Sequence, residues 1–185
     1  GLVVMVMIYS FGNVSGAHMN PAVTLGFLLA RRIQFDWAWR YIVCQIFGAI
    51  LAALLLGYLY PQHETLGSTL PGVSHDRVFV IEMIQTFLLM LVVLSMSTGH
   101  MEKGVMAGAA IGALIGLEAM VGGPATGASM NPARSLGPAL VSGQFEGLWI
   151  YIVAPITGAL LAWPATRWIQ AEDLENENVQ AGDSE

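Results

Sequence analysis

The chain has 185 residues, of which 55% are hydrophobic and 11% are charged, whereas soluble domains carry about 25% charged residues. Six of its 13 acidic residues lie in the last fourteen positions, which leaves seven acids and seven bases in residues 1–171. This composition indicates a membrane protein and excludes the basic surface by which proteins bind nucleic acid.

The apolar segments predict an all-α membrane protein. The first, residues 1–11, is about half of the ~20 residues that a spanning helix needs, so we interpret it as a clipped second helix whose predecessor is missing here. Two further segments are also too short to span and are predicted to be half-helices. They cover residues 20–30 and 131–141. Four segments are long enough to span, at residues 37–60, 78–98, 104–122 and 148–169.

Basic residues predict the orientation of the chain in the membrane. Arg31 and Arg32 follow the first half-helix, Lys103 lies between the second and third long spans, and Arg167 precedes the C-terminal tail. Because the connections alternate sides, these places share one side, predicted to be cytoplasmic. The channel-like domain is then residues 1–170, and residues 171–185 form an acidic, disordered cytoplasmic tail.

Four glycines recur at every fourth position of the third long span. They are Gly104, Gly108, Gly112 and Gly116. This spacing places a strip without side chains along one helix face, where another helix can approach closely. The strip is therefore predicted to be a packing surface.

The two short segments are copies of one another. Residues 15–26 read SGAHMNPAVTLG and residues 126–137 read TGASMNPARSLG, with eight of twelve positions identical. Three long spans separate the copies, so the second copy must enter the membrane from the opposite side. The halves are therefore predicted to be inverted repeats related by an axis in the membrane plane, with their functional site at the bilayer midplane.

The shared Asn-Pro-Ala triplet predicts how each half-helix begins. Asparagine is a favoured N-cap and proline is favoured at the first helical position. The triplets are Asn20, Pro21 and Ala22, and Asn131, Pro132 and Ala133. The preceding loops are predicted to be extended and to line a pore with their carbonyl groups, since irregular backbone at this depth needs a cavity or burial in protein. The loop residues concerned are Gly16, Ala17, His18, Gly127, Ala128 and Ser129.

Two half-helices that point their N-termini at the midplane predict a pore for neutral molecules. Each N-terminus carries roughly +0.5 charge, and two of them facing one pore form a barrier to cations and protons. The asparagine amides can donate hydrogen bonds to an uncharged solute. Such a pore needs no cofactor. The sequence has neither the metal-ligand spacing nor the nucleophile–base pair that would indicate an enzyme.

The charged residues Arg134, Glu82 and Glu118 fall inside apolar segments and are functional candidates for that reason. Arg134 follows Asn131 by three residues and is expected to line the outer side of the pore, or else to anchor a loop. Glu82 is expected to accept hydrogen bonds from backbone N–H groups of loop 127–130, in preference to a proton relay. Glu118 lies near the outer end of the third long span, beside Arg134 or facing a neighbouring helix.

The two copies resemble the signature loops of the major intrinsic protein family, the aquaporins and glycerol facilitators. The resemblance covers about residues 1–170. It implies a right-handed bundle of six spanning helices and two half-helices, a homotetramer with one pore per subunit, and Asn20 paired with Asn131 at the midplane. It also implies that Arg134, Ala128 and Ala119 belong to the selectivity filter and that Glu82 supports the second loop.

Within that family, the strings GLVVMVMIYSFGNVSGAHMNPAV and GGPATGASMNPARSLGPA are most similar to nodulin-26-like proteins and their microbial relatives. Alanine at two filter positions implies a wide opening, so glycerol, urea or neutral metalloid acids are expected to pass as well as water. A strictly water-selective channel is the alternative, with Ala119 only packing and a residue ahead of Gly1 closing the filter. An ion-coupled secondary transporter is the alternative from another functional class.

Overall fold

The computed structural model describes residues 1–97 and 101–170, apart from the side chains of residues 101–104. Within these ranges the chain is helical and contains no strand. The helices are α1 (Leu2–Ser15), α2 (Pro21–Leu29), α3 (Phe35–Leu59), α4 (His75–Met96), α5 (Met101–Thr126), α6 (Pro132–Ser142) and α7 (Leu148–Ile169). The predicted acidic tail, residues 171–185, lies outside the described residues.

Four helices are long and apolar enough to cross a membrane, as the sequence predicts. They are α3, α4, α5 from Val105 onward, and α7. Helix α5 continues beyond the predicted end at residue 122 as far as Thr126 and contains Pro124. Helix α1 also runs further than residue 11 and ends at Ser15, and Gly16 after it adopts the left-handed conformation that favours glycine.

The packing of the helices follows the inverted repeat. Half-helix α6 packs on α3, and half-helix α2 packs correspondingly on α7. Helix α4 packs mainly on α7, and α5 lies against α1 and α4. A buried apolar core that includes Met90, Leu94, Ala159 and Ala162 joins these helices. The two half-helices are thereby held between longer helices.

The glycine strip of α5 is the packing surface that its spacing predicts. A Cβ atom on Gly108 would meet the ring of Tyr9, and one on Gly112 would meet Met5, both of which belong to α1. The phenolic oxygen of Tyr9 also accepts a hydrogen bond from the backbone N–H of Ala109, at 3.1 Å. Close approach of α1 and α5 therefore depends on these two glycines.

Arg32 and Arg167, two of the basic residues behind the predicted orientation, lie at one end of the bundle. Arg32 donates to the backbone oxygen of Ser97 at 2.9 Å and to its hydroxyl at 2.7 Å. Arg32 also lines a surface depression together with Trp163 and Arg167. The connections after α2 and α4 therefore lie beside the end of α7, and the assignment of this end to the cytoplasm stays a prediction.

Gly158 permits the contact between α7 and α4, which gives a first prediction. A Cβ atom there would lie within 3 Å of the backbone nitrogen of Phe87 and would also meet the carbonyl of Met83. We expect Gly158→Ala to destabilise the protein by about 1–3 kcal/mol, as overpacking does, and to lower its thermal unfolding temperature in detergent.

Gly48→Ala in α3 is the matched control, because nothing lies within 4 Å of a Cβ atom at that position. This second variant should be neutral or more stable by about 0.5–1 kcal/mol, since alanine is the better helix former. Equal losses for the two variants would contradict the packing argument.

Candidate pore at the half-helix junction

The two repeated asparagines connect the half-helices to each other reciprocally. The side-chain amide of Asn20 donates to the backbone oxygen of Met130 at 2.7 Å, and that of Asn131 donates to Met19 at 2.9 Å. The residues are 110 and 112 positions apart along the chain. The structure therefore brings the two Asn-Pro-Ala motifs together, with each amide bonded to the opposite loop.

Each asparagine also caps its own half-helix. The side-chain oxygen of Asn20 accepts from the N–H of Ala22 at 2.9 Å, and that of Asn131 accepts from Ala133 at 3.0 Å and Arg134 at 3.2 Å. Both caps have extended backbone, and a proline follows each at the first helical position. Because an amide NH₂ has two hydrogens and one is bonded to the opposite loop, a single N–H of each asparagine is left for a solute.

The loops before the asparagines are curled, and the prediction of extended backbone is wrong. Gly16 and Gly127 have φ values of 67° and 81°, and the alanine and methionine positions of both loops are also left-handed. Those four positions are Ala17, Met19, Ala128 and Met130. A left-handed residue other than glycine costs roughly 1–2 kcal/mol. The asparagine bonds to the methionine carbonyls help to hold this conformation, which short-range sequence patterns do not indicate.

Two tyrosines that the sequence analysis did not single out anchor the start of each loop. Tyr41 in α3 donates to the backbone oxygen of Ser15 at 2.9 Å, and Tyr151 in α7 donates to that of Thr126 at 2.8 Å. Ser15 and Thr126 are equivalent positions of the repeat. Each tyrosine follows its partner by nearly the same interval, 26 and 25 residues, and that equal spacing is the sequence signal that could have revealed them.

Glu82 reaches the second loop from α4 and is fully buried. One carboxylate oxygen accepts from the N–H of Ser129 at 2.8 Å, and the other accepts from that of Met130 at 2.7 Å. These amides belong to loop 127–130, which is the partner predicted for Glu82 from the sequence. Both oxygens are thus occupied by backbone donors, which makes Glu82 a fixed support of the loop.

Arg134 is exposed, and its side chain is bonded to the outer connection, which is the segment 60–74 between α3 and α4. Its guanidinium donates to the backbone oxygen of Gly67 at 2.7 Å. Next to it, buried Thr69 donates to the hydroxyl of Ser135 at 2.7 Å, and Ser135 in turn bonds to Ser129. This chain of hydroxyl groups joins the outer connection to the half-helix and its loop, and no sequence motif indicates Thr69.

A cavity of about 300 Å³ runs beside the asparagine pair. One part of its wall is formed by the two loops, their asparagines and Arg134, namely Gly16, Ala17, His18, Met19, Asn20, Ala128, Ser129, Met130, Asn131 and Arg134. The other part is contributed chiefly by α1, α2, α4 and α5. Ala119 and Gly127 are exposed and do not line this cavity, so the structure does not bring them together with the other predicted lining residues.

Comparison with known proteins shows the family of the chain. The sequence model of the major intrinsic protein family matches residues 1–164. The chain belongs to the major intrinsic protein family. Nodulin-26 of Glycine max is 46% identical over 165 residues, covering 88% of this chain and 61% of the relative. Aquaporin NIP1-1 of Zea mays is 47% identical, covering 88% and 58%. The chain therefore spans about three fifths of the length of these family members.

A solved structure shows the fold of the family. The X-ray structure of the aquaglyceroporin from Plasmodium falciparum superposes with a TM-score of 0.78 and covers 88% of this chain and 76% of that protein. Sequence identity is 24%, so this likeness bears on the fold alone. It confirms the predicted all-helical, aquaporin-like architecture.

Proposed function

We propose that this chain forms the greater part of a passive membrane channel for water and small uncharged solutes, and that it excludes ions and protons. The reciprocal bonding of Asn20 to Met130 and of Asn131 to Met19 carries the proposal. It joins the N-termini of two half-helices beside a cavity, with one N–H of each asparagine free for a passing solute. A solute that accepts hydrogen bonds can exchange water for these donors, whereas a cation meets two positive helix ends.

Family membership supports a passive channel rather than an enzyme, and several relatives are aquaporins by name. The same membership supports an integral membrane location. We further propose that the protein is a homotetramer with one pore per subunit. Its location is the plasma membrane, and its C-terminal tail is cytoplasmic. Each of these parts is open to separate test by mass measurement in detergent or by accessibility labelling.

Small side chains near Arg134 support a wide filter that admits glycerol, urea or neutral metalloid acids. Ala128 lines the cavity with its side chain buried, and Arg134 lies on the same wall. Ala119 lies outside the lining of the described cavity, so its assignment to the filter rests on the resemblance to the family alone; its side chain is too small to narrow an opening. A strictly water-selective channel is the competing proposal, and it requires the constriction to come from elsewhere.

Stopped-flow light scattering on proteoliposomes tests the proposal with the full-length protein. The same vesicles are challenged first with sucrose and then with glycerol, and bare lipid vesicles serve as the reference. Fast shrinkage followed by fast re-swelling supports the wide channel, and shrinkage without re-swelling supports the water-selective one. Flux that needs a proton or sodium gradient would support a coupled transporter, and flux equal to that of bare lipid would overturn the channel proposal.

Ala119→His gives the sharpest test of the filter assignment. An imidazole ring is expected to narrow the opening and to reduce glycerol flux strongly, while water flux stays near that of the parent protein. Rates are measured in the same proteoliposomes. Ala113→His, at another exposed position of α5, controls for the chemistry of the substitution. Equal loss of water and glycerol flux in the Ala119 variant would show that position 119 does not discriminate between solutes.

A further inference from the structure

A buried polar cluster between α4 and α5 is not used by the pore described above. Glu118 and Gln85 are 5% and 7% exposed. The amide nitrogen of Gln85 donates to the backbone oxygen of Glu118 at 2.8 Å. The side-chain oxygen of Gln85 and both carboxylate oxygens of Glu118 are buried without a hydrogen-bond partner in the part of the chain that the structure describes.

The orientation of the Gln85 amide is fixed by its neighbours. Turning the amide over would place its oxygen against the backbone oxygen of Glu118, so two acceptors would face each other. A Cβ atom on Gly122, one turn further along α5, would collide with the same amide. The helices therefore hold Gln85 against α5 in a way that leaves three acceptor oxygens without a donor.

No side chain among the described residues supplies a cation to Glu118; Gly1, at the start of α1, packs on Gly112 and Gly116 of α5 and has no side chain. Glu82, on α4, is the charged group that acts on it, and both oxygens of Glu82 are bonded to the second loop. The remaining titratable groups of α4, at positions 75–77, are exposed in its first turn. On α1, which also packs on α5, Tyr9 bonds to Ala109, more than two turns away from Glu118. An ionised Glu118 would thus be a second buried negative charge beside Glu82.

We infer that Glu118 is a proton-binding site and that its carboxylic acid donates a hydrogen bond to the side-chain oxygen of Gln85. A single proton removes an unpaired buried charge, which is among the costliest groups in a protein interior, and supplies the donor that Gln85 lacks. The bound proton completes a link between α4 and α5, in which the amide of Gln85 already holds the backbone of Glu118.

This link acts on the pore through the second loop. Helix α4 supports the second loop through Glu82, and α5 leads into the same loop at Thr126. The link between Glu118 and Gln85 therefore fixes the positions of the two helices that hold this loop. Loss of the proton would break the bond to Gln85 and set two carboxylates against each other in a low-dielectric site. Glu118 is therefore a positioning residue, and its deprotonation at alkaline pH is expected to reduce permeation. The effect on permeation rests on the proposed channel function, whereas the protonation itself does not.

Infrared spectroscopy of the reconstituted full-length protein tests the proton site directly. A protonated buried carboxyl group has a C=O stretching band apart from the amide bands, and this band is expected in the parent protein at neutral pH. Glu118→Gln should lose the band. Glu146→Gln, which replaces an exposed acid, should retain it. Absence of any band that Glu118→Gln removes would overturn the inference.

Water flux across a pH series tests the consequence. The parent protein is expected to lose permeability at alkaline pH, and Glu118→Gln is expected to keep it, because glutamine donates to Gln85 at every pH. Parallel profiles for the two proteins would overturn the coupling between the site and the pore. If neither protein conducts at any pH, the channel proposal fails, and the infrared band still decides whether Glu118 binds a proton.

Discussion

Replacing Glu82 with glutamine is expected to abolish water permeability and to weaken the fold. The carboxylate accepts from two loop amides at 2.7 and 2.8 Å, and glutamine offers one acceptor oxygen in its place. Its NH₂ group would face the second loop amide, so two donors would meet. A buried donor without a partner costs about 1–3 kcal/mol, so the second loop should be destabilised where it faces α4.

The charge of Glu82 adds to this effect. Glu82 interacts electrostatically with Arg134, so a neutral side chain would also remove a negative charge that favours the charged guanidinium in the pore wall. Both consequences act on the second loop, whose Met130 carbonyl is the acceptor for Asn20. Loss of one support is therefore expected to disturb the asparagine pair itself.

Water flux in proteoliposomes and thermal unfolding in detergent measure the two effects on the same preparation. Glu146→Gln makes the same chemical change at an exposed position and should leave both quantities unchanged. A Glu82→Gln protein that conducts water at the parent rate would show that the loop keeps its geometry without this support. The proposed role of Glu82 would then be wrong.

The architecture of the half-helices could be predicted because its determinants are local. Asparagine followed by proline favours a helix start wherever it occurs, and the structure shows that start at Pro21 and at Pro132. The length of the apolar segments predicts the long spans in the same way, since the thickness of the bilayer sets it. The inversion follows from counting the spans between the copies, without knowledge of any contact.

The remaining features depend on neighbours that are distant in sequence. The curl of the loops is stabilised by asparagines more than a hundred residues away, so an isolated loop sequence predicts extended backbone instead. The hydroxyl chain from Thr69 to Ser135 and Ser129 likewise joins three separate elements. The burial of Glu118 beside Gln85 depends on the packing of α4 against α5, which the sequence does not indicate.

Replacing Arg134 with valine is expected to let protons and small cations leak through the pore and to raise glycerol flux. The internal repeat suggests the substitution, because the equivalent position of α2 is Val23, which is buried and lines the same cavity. Valine is therefore compatible with the backbone of a half-helix at this place. The hydrogen bond to Gly67 is lost at an exposed site, so the effect on the fold should be small.

The size of the leak follows from the charge that is removed. Two unit charges 4 Å apart repel by about 1 kcal/mol in water and by about 4 kcal/mol at an effective dielectric constant of about 20. Since about 1.4 kcal/mol corresponds to a factor of ten, cation passage should rise between roughly fivefold and a thousandfold. Vesicles that contain a pH-sensitive dye report the proton leak under an imposed gradient, and light scattering reports glycerol flux.

Arg77→Val is the matched control for Arg134→Val. It removes a positive charge from the exposed first turn of α4, away from the cavity lining, and should leave the vesicles proton-tight. Proton-tight vesicles with Arg134→Val as well would assign the whole barrier to the two helix N-termini at Asn20 and Asn131. A leak confined to the Arg134 variant would instead show two separate roles. The guanidinium would repel cations at the outer side, and the asparagine pair would select neutral hydrogen-bonding solutes.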